Sequence, residues 1–141
     1  MAEPARVRAR GERVSQLLLH LIGDYITQSH WMATNKTKNS FAALYHALYH
    51  ALLYGMPFYL LGGHNAVLVI WSTHFFIDRF RLARYVVFAK NFLGWPWAKW
   101  SDCAATGYPS EVPAWMAVWL MIVADNTLHL AINYAALRWL R

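Results

Sequence analysis

Three aspartates in this chain each have a histidine four residues away: His20 with Asp24, His74 with Asp78, and Asp125 with His129. His46 and His50 form a fourth pair at the same spacing. In an α-helix, residues i and i+4 stack on one face, so each pair aims two ionisable side chains in one direction. The chain has 7 His and 7 Asp or Glu; scattered at random they would give on the order of one or two such coincidences, with no reason for one per helix. Imidazole and carboxylate together suit Zn²⁺, and also Mn²⁺ or Fe²⁺. Five histidines and three aspartates exceed the ligands of one zinc. They would suffice for two metals about 3.5–4 Å apart, the arrangement that clamps both the attacking and the leaving oxygen in phosphoester hydrolysis.

The neighbours of these pairs extend the chemistry. Gln28 lies one turn beyond Asp24, where it either hydrogen-bonds a ligand or orients Asp24 as a support behind the metal. Arg79 and Arg81 follow Asp78 and could neutralise a phosphate, because guanidinium matches phosphate oxygens in a bidentate way; the competing reading is that they snorkel to a membrane interface. Lys36 and Lys38 carry the same ambiguity. His30 and His64 have no partner at four-residue spacing and stay outside the expected site. No GxSxG elbow, GxxxxGK[ST] phosphate loop or HExxH pair is present. Cys103 is the sole cysteine, which excludes an intramolecular disulfide and a CxxC metal knuckle and reads as a space-filling residue.

Positioning these pairs requires helices, and composition says in what medium. Of 141 residues, 58% are hydrophobic and 14% charged, against roughly 45–50% and about 25% in soluble proteins. The length fits one domain. Lys and Arg outnumber Asp and Glu 13 to 7, a formal +6; with so apolar a chain this excess reads as attraction to anionic lipid, and no zinc-finger, RNP or basic-zipper pattern points to nucleic acid. Residues 1–12 are polar and basic, followed by a single helical membrane domain over 13–141. Helices are expected at about Arg13 to Ala33, Ser40 to Tyr54, Asn65 to Lys90, and Pro113 or Ala114 to Leu140. Ser40 is an N-cap candidate and Pro57 a stop. The long loop over about 91–112 carries Trp95, Trp97 and Trp100, read either as an interfacial anchor or as a buried cluster. The fold expected is an all-α, up-and-down four-helix bundle, transmembrane or partly embedded, with the His/Asp cluster inward because unpaired ions in hydrocarbon cost several kcal/mol. The charge distribution leaves the orientation tied.

The stretches "HLIGDYITQSHWMATNK", "LYHALYHALL", "STHFFIDRFR" and "ADNTLHL" resemble a family of small integral membrane proteins of bacteria and phages classed as a domain of unknown function. That family is similar in turn to the membrane-bound metal-dependent hydrolases. The resemblance implies a metal-ligand set drawn from His20, Asp24, His46, His50, His74, Asp78, Asp125 and His129, and a multi-pass place in a bacterial or phage-infected host inner membrane.

The function expected is therefore an integral-membrane hydrolase holding one or two divalent metals, with Zn²⁺ first. It would use metal-activated water on a phosphoester such as a lipid or lipid-linked head group. Asp125 would bridge metals or orient the water, and Arg79 and Arg81 would hold the phosphate. The partners expected are membrane lipid and a phosphate-containing small molecule or head group, with no nucleic acid; a homo-oligomer is compatible. The alternative is a non-enzymatic membrane protein, a metal or proton carrier or a phage-type envelope protein, whose cluster is structural or ion-conducting.

Overall fold

The computed structural model describes residues 16–140, with the backbone alone for 54–62; the basic stretch 1–12 and the start expected at Arg13 lie outside the described residues. These residues are helical, without a strand. The helix entering at residue 16 widens into a π-helical turn, Ile22–Ile26, closed by the Thr27 N–H donating to Ile22 O at 2.9 Å. The first expected helix is therefore not continuous to Ala33. Thr27 turns its hydroxyl back onto Gly23 O, and Ser29, in an extended conformation, caps a new helix α1 (His30–Asn35) by accepting from the Met32 N–H. Serine caps a helix well because its oxygen satisfies one of the orphan first-turn donors.

Helix α2 (Ser40–Phe80) joins two expected helices across a sharp kink. Its N-cap is Asn39, whose side chain accepts from the Phe41 N–H, so Ser40 is the first helical residue. The backbone stays helical through Pro57 and breaks at Gly63, φ 74°, ψ 175°. A proline removes one hydrogen bond and bends a helix, whereas reversing direction takes a positive φ that glycine adopts freely. The two arms fold into an antiparallel hairpin, bringing His46 and His50 against His74 and Asp78.

The expected helix over 65–90 also divides. Arg81 takes the left-handed conformation, φ 53°, and closes α2 as a C-cap, after which α3 (Ala83–Gly94) begins. The long loop contains a short helix, α4 (Trp100–Cys103). Helix α5 (Ala114–Trp139) follows Pro113 and packs against both α2 and α3.

The interior is unusual in what it holds. Alanines 42, 43, 47, 51, 66 and 136 are buried, letting backbones approach closely, and one small cluster joins Ala66 and Ile70 to Ala136 and Leu137. Five of the largest fully buried side chains are histidines: His20, His46, His50, His74 and His129. Large apolar residues face outward, among them Leu18, Phe41, Leu52, Leu68, Trp115, Trp119 and Val123. Among the described residues, one helix, Ala114–Trp139, is long and apolar enough to cross a membrane. The four-helix bundle expected from sequence, transmembrane or partly embedded, has this one candidate span among the described residues; the first expected helix breaks at the π-turn and the third at Arg81.

Candidate metal centre

The π-turn, both arms of α2 and the middle of α5 converge on one buried point. His20 Nε2 lies 3.3 Å from Asp24 Oδ2, His74 Nε2 3.3 Å from Asp78 Oδ2, and His129 Nε2 3.6 Å from Asp125 Oδ2. Across elements, His46 Nε2 is 3.0 Å from His74 Nε2 and 3.1 Å from Asp78 Oδ2, and the His50 and His74 rings stack with centroids 3.9 Å apart. All eight residues of the expected ligand set fall into three overlapping groups that could hold a metal ion: His20, Asp24, His50 and His74; His46, His74 and Asp78; and Asp78, Asp125 and His129. Within each group the ligand atoms lie within 4.8 Å of one another.

The spacing around Asp24 Oδ1 fits a cation. Asp24 Oδ1 is buried without a hydrogen-bond partner, yet three imidazole nitrogens surround it: His46 Nε2 at 3.5 Å, His50 Nε2 at 3.7 Å and His74 Nε2 at 3.6 Å. Atoms bound about 2.0–2.2 Å from one tetrahedral ion stand about 3.3–3.6 Å from each other, while a hydrogen bond from an imidazole N–H to a carboxylate is nearer 2.8 Å. A buried carboxylate oxygen left unpaired is expensive, and a shared ion removes that cost. Asp78 presents its two oxygens to different partners, Oδ2 to His46 and His74 and Oδ1 to His129 at 3.8 Å.

Three further residues build the centre. Gly23 lies under the His50 ring: a Cβ there would come 2.6 Å from Cδ2, so only glycine lets the π-turn approach. Asn126 accepts at Oδ1 from His20 Nε2, 3.0 Å away. Its Nδ2 donates to the Tyr25 hydroxyl and to Ile122 O, which fixes the amide's orientation. His20 Nε2 therefore carries the proton, and Nδ1 turns a lone pair toward the cluster, 2.9 Å from His50 Nε2. Lys36 donates from Nζ to Asp78 Oδ2 at 3.0 Å. Burial works against its charge, but the Asp78 and Asp24 carboxylates outweigh burial and raise its pKa above the ordinary lysine value.

A cavity of about 290 Å³ opens beside the cluster, lined by Asp24, Asp78 and Asp125 and by Lys36, Gln28 and Arg81, with Ile77, Met121 and Ile122 as its apolar wall. Gln28 sits in the break after the π-turn rather than a turn further along a helix; its Oε1 is buried without a hydrogen-bond partner. Arg81 lines the cavity while donating to Ala105 O. Arg79 does not reach it: the guanidinium is spent on Thr37 O and Ser40 Oγ, tying the α1–α2 connection to the far arm of α2. His30 and His64 are exposed, away from the cluster. Trp100 stacks on Tyr85, Trp97 is exposed, and Cys103 is buried, so the aromatic loop is part cluster and part exposed rim.

The chain belongs to the family described as protein of unknown function (DUF3307), whose model matches residues 14–105. The matched stretch takes in His20, Asp24, His46, His50, His74 and Asp78, and ends before Asp125 and His129. No curated protein and no solved structure matches the chain.

Proposed function

We propose that this member of the DUF3307 family is a metal-dependent hydrolase of a phosphoester, acting on a lipid or lipid-linked head group at a membrane. The observation that carries the reading is Asp24 Oδ1, a buried carboxylate oxygen without a hydrogen-bond partner, ringed at ligand spacing by the Nε2 atoms of His46, His50 and His74, in a cluster bordered by a cavity with cationic and apolar walls. The residues that would hold the metals are His20, Asp24, His46, His50, His74, Asp78, Asp125 and His129. Bound there, a divalent ion such as Zn²⁺ supplies water acidified toward neutrality and positive charge for a phosphoryl oxygen.

The chain's own residues divide the remaining work. Asp125 is half-buried and lines the cavity, where its carboxylate can orient a water and accept its proton. Lys36 and Arg81 supply charge on the same cavity, and Gln28 Oε1 offers an acceptor to a donor on the head group. Ile77, Met121 and Ile122 exclude water on the other side. Attachment through α5 is supported by its length and by the outward Trp115, Trp119 and Val123; insertion of further helices is the finer form of the same proposal, favoured by exposed Leu52, Leu68 and Phe76.

The Lys36–Asp78 contact favours a second reading, a non-enzymatic polar network or carrier, since an ammonium already compensates one carboxylate. Metal analysis of the detergent-purified chain separates the two, followed by release of phosphate from phospholipid, polyprenyl phosphate and nucleotide substrates. Tightly held metal with turnover abolished by His50→Ala is expected. Metal without turnover indicates a carrier, and less than about 0.3 equivalents of any transition metal indicates a structural network.

A further inference from the structure

We infer that the centre contains two unlike metal positions, and that the outer one, formed by Asp78, Asp125 and His129, is open and receives an oxyanion such as a phosphate ester. This rests on the metal-dependent reading above and adds a division within it. The inner group, His20, Asp24, His50 and His74, offers four ligands, all buried. Four ligands complete a tetrahedral zinc shell, the closed arrangement of structural sites, whereas a reactive site keeps three protein ligands and one open position.

The outer group has the second form. It has three ligands, and Asp125 and Asp78 both line the cavity. His129 Nε2 is buried without a hydrogen-bond partner, 3.6 Å from Asp125 Oδ2 and 3.8 Å from Asp78 Oδ1. That nitrogen thus faces two carboxylates beyond hydrogen-bond length, at the spacing of ligands around a common ion. Asp78 supports the separation, since Oδ2 is engaged by Lys36, His46 and His74 and Oδ1 is left for the outer position. His46 stands between the two, 3.5 Å from Asp24 Oδ1 and 3.1 Å from Asp78 Oδ2. Lys36 and Arg81 border the same cavity, so an anion completing the outer shell meets positive charge on its free side.

The test is titration of the metal-free full chain in detergent with Co²⁺, followed by visible absorbance, with inorganic phosphate added last, for wild type, Asp125→Asn, His129→Gln and His50→Gln. Wild type is expected to take two equivalents, the first with intense tetrahedral bands, and to change its spectrum on adding phosphate. Asp125→Asn and His129→Gln should each take one equivalent, keep the tetrahedral bands and lose the phosphate response. His50→Gln should weaken the tetrahedral equivalent at least tenfold. Two equivalents in Asp125→Asn, or none, overturn the division. One equivalent in wild type, unchanged in Asp125→Asn, overturns the outer position while leaving a metal-dependent function standing. No metal in wild type overturns that function as well.

Discussion

Gly23 and His50 meet at a distance that leaves no room for a methyl group: a Cβ on Gly23 would lie 2.6 Å from His50 Cδ2 and 3.3 Å from Nε2. The π-turn and the first arm of α2 are thereby held against each other by the absence of a side chain. Gly23→Ala should push the His50 ring out of line, at an overpacking cost of about 1–3 kcal/mol. The expected outcome is a lower Tm in the metal-free chain and weaker Zn²⁺ binding, measured by thermal unfolding and competition with a chromophoric chelator. An unchanged Zn²⁺ affinity would remove His50 from the ligand set.

Asn126 should set the tautomer of His20. Its Oδ1 accepts from Nε2, so long-range ¹⁵N–¹H spectra of the metal-free chain should show His20 protonated at Nε2. Asn126→Asp keeps an acceptor and should preserve that pattern. Asn126→Leu should abolish it and weaken metal binding about 10–100-fold, the usual effect of losing a group that orients a ligand.

Lys36 should matter most when metal is absent. Replacing it by methionine leaves the buried Asp78 carboxylate to the imidazoles of His46, His74 and His129, and breaking a buried ion pair costs up to about 3–5 kcal/mol. Lys36→Met is expected to lower the Tm of the metal-free chain, and Zn²⁺ should restore much of the loss. The folded lysine has a raised pKa, because Asp78 and Asp24 outweigh burial. Its contribution is therefore fully present below the unfolded lysine value of about 10.4, and it is lost as pH rises through the folded value. Urea titrations from neutral pH upward should show a constant gap between wild type and variant that closes only in alkali.

Val123 lies on the exposed face of α5, 57% accessible. A lysine near the centre of a spanning helix costs about 2.5–3.5 kcal/mol on insertion. Val123→Lys should move a measurable share of the chain out of the carbonate-washed membrane pellet, whereas Glu111→Lys, in the loop, should not. Equal recovery of both variants in the soluble fraction with wild type would reject attachment through α5.

The four pairs were legible because i,i+4 spacing is a property of one helix, and a helical face can be read along the chain. What joins those faces was not. Lys36 reaches Asp78 across 42 residues and Asn126 reaches His20 across 106, and no periodicity links such positions. The π-turn depends on Thr27 turning back onto Gly23 O and Ser29 capping the next helix, a local contest that an apolar pattern does not register. Pro57 was the more conspicuous breaker, but the reversal occurs at Gly63, where φ is 74° and ψ 175°, a conformation glycine adopts freely. Gly63 lies in "LGGHN", the turn legible in the sequence between the second and third expected helices. Arg79 illustrates the opposite error: adjacency to Asp78 in sequence suggested a shared site, yet consecutive helical residues point about 100° apart, and Arg79 was drawn to Thr37 and Ser40 instead.

The kink at Gly63 also bears on how the centre is made during synthesis. His46, His50, His74 and Asp78 all belong to the single hairpin of α2, and the His46–His74 contact spans only 28 residues. Contacts this local form early, because little loop entropy must be lost to close them. Half of the candidate ligands can therefore meet while the chain is still emerging from the ribosome. Asp125 and His129 arrive last, on the one helix among the described residues that is long and apolar enough to cross a membrane, so completion of the outer position is tied to the docking of α5. A nascent chain stalled before residue 114 would hold the hairpin's share of the centre and lack its open side.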